Sequence, residues 1–163
     1  MNIREALRRV PPEQRTFAGV CIRPIADDED LWFAAVECEL APGQEEFVNP
    51  AGFSIGRAYL APEKNVPCII CRADGTRIGY LVFRLWAAGG AFSWSYYLDR
   101  RAQGQGFGTA AARLAVQILR AADPAMPIRL AVDERNRRAQ AVYRRVGFQR
   151  LPERDGDELV FSI

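Results

Sequence analysis

The sequence has no histidine in 163 residues, and Lys64 is the one lysine among its 22 basic side chains. The first absence removes the commonest general base, every histidine-containing triad and the histidine-based zinc sites. No run of 18 apolar residues exists, so no membrane span is expected. The opening stretch MNIREALRRVPPEQRTF lacks the apolar core of a signal peptide, which points to a cytoplasmic protein. Net charge is only +2, from 22 basic and 20 acidic residues, and gives no reason to expect a nucleic-acid partner.

Cysteines are few: Cys21, Cys38, Cys68 and Cys71. The pair in VPCIICR has the spacing of a redox or zinc motif. It lies in an apolar, β-branched run that reads as a strand, where positions three apart face opposite sides. A redox pair usually opens a helix, and no second pair completes a zinc site, so buried thiols and no metal are expected. What remains is ordinary for a globular chain: 49% hydrophobic and 26% charged residues. The length suits one domain that buries about two-thirds of its extended surface.

Residues 1–16 read as an amphipathic turn or helix ended by Pro11 and Pro12, an extension to a domain over 17–163. TFAGVCIRPI reads as a strand. ADDEDLWFAAVECELA opens on acidic residues suited to a helix N-terminus, with Leu31, Ala34, Ala35 and Cys38 at helical spacing. The Pro- and Gly-broken stretch after it holds one short helix. PCIICRADGTRIGYLVFRLW reads as a hairpin turning at ADGT, and AFSWSYYLD as a third strand. A helix is expected over residues 107–122, with Ala111, Leu114, Ala115, Ile118 and Leu119 on one face. PIRLAV is a further strand. RNRRAQAVYRRVGF is a short helix striped by Ala139, Val142, Tyr143 and Val146 and capped by Gly147. A hairpin turning at Asp155-Gly156 closes the chain. The order is mixed α/β of the α+β kind, not a regular βαβ alternation.

The segment DRRAQGQGFGTAAARLAV alternates glycine at Gly104, Gly106 and Gly108 just where a helix begins. A strand, a glycine turn and a helix N-terminus converge unpaired N–H groups, and the helix dipole adds about half a positive charge. Glycines let a diphosphate approach those amides. A P-loop is excluded, because no lysine accompanies Gly108-Thr109. A dinucleotide fingerprint needs glycine at its sixth position, where Thr109 stands, so a dehydrogenase remains a distant alternative.

Gln103 to Gly108, Q-G-Q-G-F-G, resembles the Gln/Arg-x-x-Gly-x-Gly/Ala signature of the GNAT (GCN5-related N-acetyltransferase) family. Downstream, Asn136, Ala139, Tyr143, Gly147 and Phe148 stand as in that family's Asn-x-x-Ala-x-x-x-Tyr-x-x-x-Gly-Phe element. The resemblance covers about Phe17 to Ile163, and is most similar to bacterial diamine or spermine/spermidine acetyltransferases. It implies a mostly antiparallel mixed sheet with a splayed strand pair and flanking helices, and acetyl-CoA as cofactor. It further implies that Gln103, Gly104, Gln105, Gly106, Phe107 and Gly108 hold the diphosphate, with Thr109 adding a hydroxyl. Tyr96, Tyr97 and Leu98 would pair with the pantetheine amides. Asn136 would contact the cofactor, or else serve as a plain helix N-cap. Tyr143 would face the thioester and donate a proton to the leaving thiolate.

The resemblance leaves the general base open, because Phe92 stands where the family often has a strand glutamate. A water relay to Ser93, Ser95 or Tyr97, a carboxylate from another segment, or an amine pKa lowered by desolvation are the routes left. Eight acidic and no basic residues lie between Asp27 and Glu46, on the acceptor side of the family fold. Arg135, Arg137 and Arg138 lie where the family places the adenosine 3′-phosphate. Charge of that kind suits a cationic amine, and a polyamine or diamine is the expected acceptor. A protein N-terminus, a lysine side chain or an aminoglycoside-type amine is the alternative, and a coenzyme-A-binding module without catalysis another. Cys38 has no base near it in sequence, which favours direct transfer over a covalent acyl-enzyme. The family often dimerises, so a homodimer is expected.

Overall fold

The computed structural model describes residues 1–163. Asn2 opens helix α1 (Ile3–Arg8): its Oδ1 accepts from the N–H groups of Arg4 at 3.0 Å and Glu5 at 3.3 Å. Beyond the two prolines a tight turn runs over Pro12–Arg15. Arg15 folds back and donates to the carbonyls of Val10 and Leu7, setting a cation at the carbonyl end of α1. Ile3 and Leu7, four apart, share the face of α1 that packs on the rest of the molecule. Both join the main core with Val10, so residues 1–16 share one core with the body of the protein.

TFAGVCIRPI is not one strand but a hairpin of β1 (Thr16–Phe17) and β2 (Val20–Pro24). Ala18 and Gly19 take φ of 48° and 78°, the two left-handed residues of a type I′ turn. Alanine is seldom found there, so the pattern gives no warning of it. The expected hairpin of β3 (Asn65–Arg72) and β4 (Arg77–Leu85) forms, and β5 (Phe92–Leu98) pairs with β4. These five strands make an antiparallel sheet in chain order. A second sheet orders β6 (Arg129–Val132), β8 (Glu158–Ser162) and β7 (Gln149–Asp155).

The two sheets touch where β5 and β6 start side by side in parallel. Phe92 bridges to Ile128, and its N–H donates to the Pro127 carbonyl at 2.9 Å. No further ladder joins the two strands, which part as a fork toward Leu98.

Helix α4 (Phe107–Ala122) covers one face of the large sheet, and its five expected core positions are fully buried. The other face, with Ile69, Cys71, Tyr80 and Val82, packs under Phe33, Ala34 and helix α3 (Ala51–Leu60). Cys68 and Cys71 thus face opposite sides of β3, and all four thiols are free.

Helix α2 (Asp28–Trp32) runs into a wider turn over Phe33–Glu37, where the Cys38 N–H reaches the Phe33 carbonyl at 2.8 Å. The expected stripe is corrected here. Phe33 and Ala34 are buried, whereas Leu31 and Ala35 are exposed. The inward position one turn earlier belongs to Asp30, which no solvent reaches. Its carboxylate accepts from Arg23 Nη2 and Arg77 Nε, each at 2.8 Å, and from the Ala26 N–H at 3.0 Å. Those bonds hold its pKa well below the usual carboxylate range, with the Arg23 hydrogen bond the largest cause.

Candidate functional site

The fork leaves one edge of β5 without a strand. Asp99 N–H donates to the Ile78 carbonyl at 2.8 Å, and Trp86 N–H to the Ala91 carbonyl at 2.9 Å. Backbone bonding alternates along an antiparallel ladder, so the odd-numbered residues of β5 bond to β4. The even-numbered ones turn N–H and C=O toward the fork. Phe92 is taken by Pro127, and the Leu98 carbonyl accepts from Gln103 Nε2 at 2.9 Å. Trp94 and Tyr96 keep both backbone groups directed into the opening, and Leu98 its N–H. Tyr97 differs: its backbone pairs with Tyr80, and its ring lies 5.7 Å from the Tyr80 ring, on the α3 face of the sheet.

Beyond β5 the chain is pinned before it turns. Asp99, buried, accepts from the N–H groups of Arg101 (2.9 Å) and Glu39 (3.0 Å) and pairs with the Arg101 guanidinium. The Arg101 hydrogen bond is the main reason its pKa falls to about 2. Gln103 then ties three elements together. Its amide reaches the Leu98 carbonyl and Gln44, and its Oε1 accepts from Arg138 at 3.0 Å.

Gly104 and Gly106 hold φ of 74° and 87°, a region costly to any residue with a Cβ. Gly106 is the N-cap of α4 and supplies no side chain, so the amides of Phe107, Gly108 and Thr109 have no cap. Those of Gly104, Gln105 and Gly106 enter none of the loop hydrogen bonds either. A row of unpartnered N–H groups at the positive end of a 16-residue helix is an anion cradle. Gly108 is helical, and a Cβ there would meet Leu98 Cδ1 and Tyr96 Oη at 3.8 Å, ordinary contact. Tyr96 Oη donates to the Gly108 carbonyl at 3.0 Å, joining the open strand to the cradle. The amide cradle and the open edge are therefore continuous.

Helix α5 (Arg137–Val146) packs against α4, and Phe148 just beyond it meets the Trp94 ring of β5 at 5.5 Å. Asn136 is its N-cap, with Oδ1 accepting from the Ala139 N–H at 3.1 Å, which leaves its amide NH2 to donate elsewhere. At the other end Gly147 (φ 113°) donates to the Arg144 carbonyl and the Phe148 N–H to the Tyr143 carbonyl, a Schellman cap. The Tyr143 and Phe148 rings lie 5.9 Å apart across that cap, with Phe161 6.2 Å from Tyr143. Asn136, Ala139, Tyr143, Gly147 and Phe148 thus form one mechanical unit that fixes the direction of the tyrosine ring.

Tyr143 is buried, and desolvation pushes its pKa up to about 12. Arg84 opposes that shift and Glu158 adds to it, so both charges reach the phenol. Sequence reasoning did not single out either residue, although Arg84 is a cation inside the apolar run YLVFRLW. Glu158 has its own pKa raised, first by desolvation, then by Asp155.

The acidic run is largely neutralised within the molecule. Asp27, Glu29 and Asp30 pair with Arg77, Glu39 pairs with Arg100, and Glu46 with Arg135. Arg135 also pairs with Asp133. Arg138 stands at the cradle through Gln103. Cys38 is desolvated and its thiol is pushed up to about 12, far from a nucleophile's range.

No helix of the molecule is long and apolar enough to cross a membrane. No curated protein sequence matches this one. Among solved structures, an aminoglycoside acetyltransferase with coenzyme A and kanamycin superposes at a TM-score of 0.71 and 21% identity, over 88% of this chain and 92% of that one. An acetyltransferase from Agrobacterium tumefaciens gives 0.67 and 18%, over 91% and 92%. A chimeric spermidine N-acetyltransferase from Vibrio cholerae gives 0.65 and 15%, over 89% and 93%. At such identities these likenesses speak for the fold. The model of the acetyltransferase (GNAT) family matches residues 29–148, most of the chain and the whole of the cradle and the α5 element, and the chain belongs to that family.

Proposed function

We propose that this protein transfers an acetyl group from acetyl-CoA directly to a primary amine, with both substrates bound at the fork. The observation that carries the reading is continuity. The amides of Gly104 to Thr109 run into the open edge of β5, and the edge ends beside Tyr143. Bound acetyl-CoA supplies a thioester, an acyl group activated toward an amine.

Each residue then has a task. The cradle amides and the α4 dipole hold the diphosphate, with Gln103 and Gln105 shaping the loop and Thr109 adding a hydroxyl. Tyr96 and Leu98 offer backbone groups to the pantetheine amides, and Tyr97 shapes the opposite, acceptor face. Asn136 caps α5 and turns its amide toward the cofactor. Tyr143 stays protonated far above neutral pH and donates to the departing thiolate. An alkylammonium of pKa about 10.4 must lose a proton first, which costs about 4.6 kcal/mol at neutral pH. Glu158, an exposed carboxylate at the start of β8 within charge reach of Tyr143, is the group we assign to receive it. The cytoplasmic location expected from the N-terminal sequence and the homodimer implied by the resemblance belong to the same reading.

The polyamine or diamine implied by the resemblance would have only Asp28, Glu37 and Glu45 of the acidic run to draw on, since the other five acidic residues there are in ion pairs. Thiol release from acetyl-CoA, measured with spermidine, putrescine, a lysine peptide, an aminoglycoside and free amino acids at several pH values, tests the function. Release with at least one amine is expected. Tight binding of coenzyme A without release from any amine would instead mark a binding module, and preference for NAD a dehydrogenase.

A further inference from the structure

Resting on the acetyl-transfer reading above, we infer that the acceptor is a small primary amine carrying a carboxylate, and that Arg84 holds that carboxylate. Arg84 stands on β4 in register with Ser93 of β5, one residue beyond the Phe92–Ile128 bridge at the apex of the fork. Side chains alternate along a strand, so Arg84, Ser93 and Ser95 share the face of Tyr80 and Val82. That face lies opposite α4, where an amine can approach the thioester.

Arginine is the dominant cation of this chain, and most of its other inward-leaning arginines meet a carboxylate; Arg15 instead donates to the Val10 and Leu7 carbonyls, and Arg72 lies over the Phe107 ring. Arg23 and Arg77 hold Asp30, Arg101 holds Asp99, and Arg129 holds Glu153. Arg84 is half-buried yet enters no ion pair. Desolvation and the neighbouring Arg57 both work against its charge, and Glu158, Tyr143 and Asp155 act on it only from a distance. Ser93 beside it is fully buried, and its Oγ has no hydrogen-bond partner. A half-buried guanidinium without a counter-charge, next to a buried hydroxyl without a partner, favours a bound anion.

These two groups define the chemistry of the missing partner. A guanidinium offers a planar pair of donors that matches a carboxylate, and Ser93 can donate a further hydrogen bond. Arg57, held over the Phe53 ring at 5.9 Å from its centroid, adds a second positive charge on the α3 side. The amine end of the same molecule would lie toward Glu158 and Tyr143. A diamine in this pose sets its second ammonium against Arg84 and Arg57, a like-charge contact. The acceptor is therefore zwitterionic in class, an amino acid or a short amino-acid derivative.

The test uses matched acceptors: β-alanine and β-alaninamide, glycine and glycinamide, with putrescine as the dication. For the wild-type protein each acid should exceed its amide by at least about tenfold in kcat/KM, the scale of a charged hydrogen bond. Arg84→Gln should remove that preference while the affinity for coenzyme A, read by calorimetry, stays unchanged. Arg84→Lys should restore part of it. Equal use of acid and amide by the wild-type protein, a comparison that needs no variant, would overturn the inference. So would efficient turnover of putrescine unaffected by Arg84→Gln, which leaves acetyl transfer standing. Turnover of no amine while coenzyme A binds would overturn the transfer reading and this inference with it.

Discussion

Gly104 and Gly106 carry positive φ, whereas Gly108 sits in helical backbone with room for a methyl group. From the sequence the three glycines read alike, as clearance for a diphosphate. The structure divides them: two are required by the turn, and the third is not. Gly106→Ala should lower the stability of the free protein by about 1–2 kcal/mol, the penalty of a left-handed alanine. Gly108→Ala should leave it unchanged or raise it by about 0.5–1 kcal/mol, as expected inside a helix. Thermal denaturation of the two variants without ligand measures the difference. Equal losses would show that the loop is not held as described.

At the scale of elements, two buried carboxylates bind the acceptor-side segments to the sheet. Asp30 joins α2 to β2 and β4, and Asp99 joins the end of β5 to Glu39. Both pKa values are depressed in the folded protein, that of Asp99 from 3.8 to about 2. The unfolded chain therefore binds more protons in the acid range, and stability falls as pH falls. The contribution should be complete above about pH 4 and fade toward pH 2. Urea midpoints at pH 7, 4 and 3 check this, and a midpoint level down to pH 3 would contradict it.

Elements with strong periodicity were legible in the sequence. Helix α4 has the expected limits because its apolar stripe and glycine entrance agree, and the β3–β4 hairpin is marked by ADGT. The β1–β2 hairpin was not, since alanine rarely takes the left-handed backbone that Ala18 adopts. Nor was the inward turn of α2, because a buried aspartate is recognisable only once Arg23 and Arg77 are brought to it by two strands. The α5 element was legible as a motif, and the structure supplies its mechanics, an Asn N-cap and a Schellman cap around one tyrosine. Arg84 and Glu158 were hidden for the same reason as Asp30. Their significance depends on neighbours from α3, α5 and the final hairpin.

For the whole molecule, function arises from two sheets that join at one residue pair and then separate. The opening exposes a strand edge, the glycine loop sets an amide cradle at its far end, and α5 carries Tyr143, packed on Phe148 and Phe161. One face of the large sheet is covered by α4, and the other by Phe33, Ala34 and α3. The central claim is that Tyr143 donates the proton to the leaving thiolate at this fork. Steady-state turnover of Tyr143→Phe with the best acceptor, alongside calorimetric binding of coenzyme A, tests it most directly. The prediction is a fall in kcat of about 10²- to 10⁴-fold with unchanged affinity for coenzyme A. An unchanged kcat would contradict it.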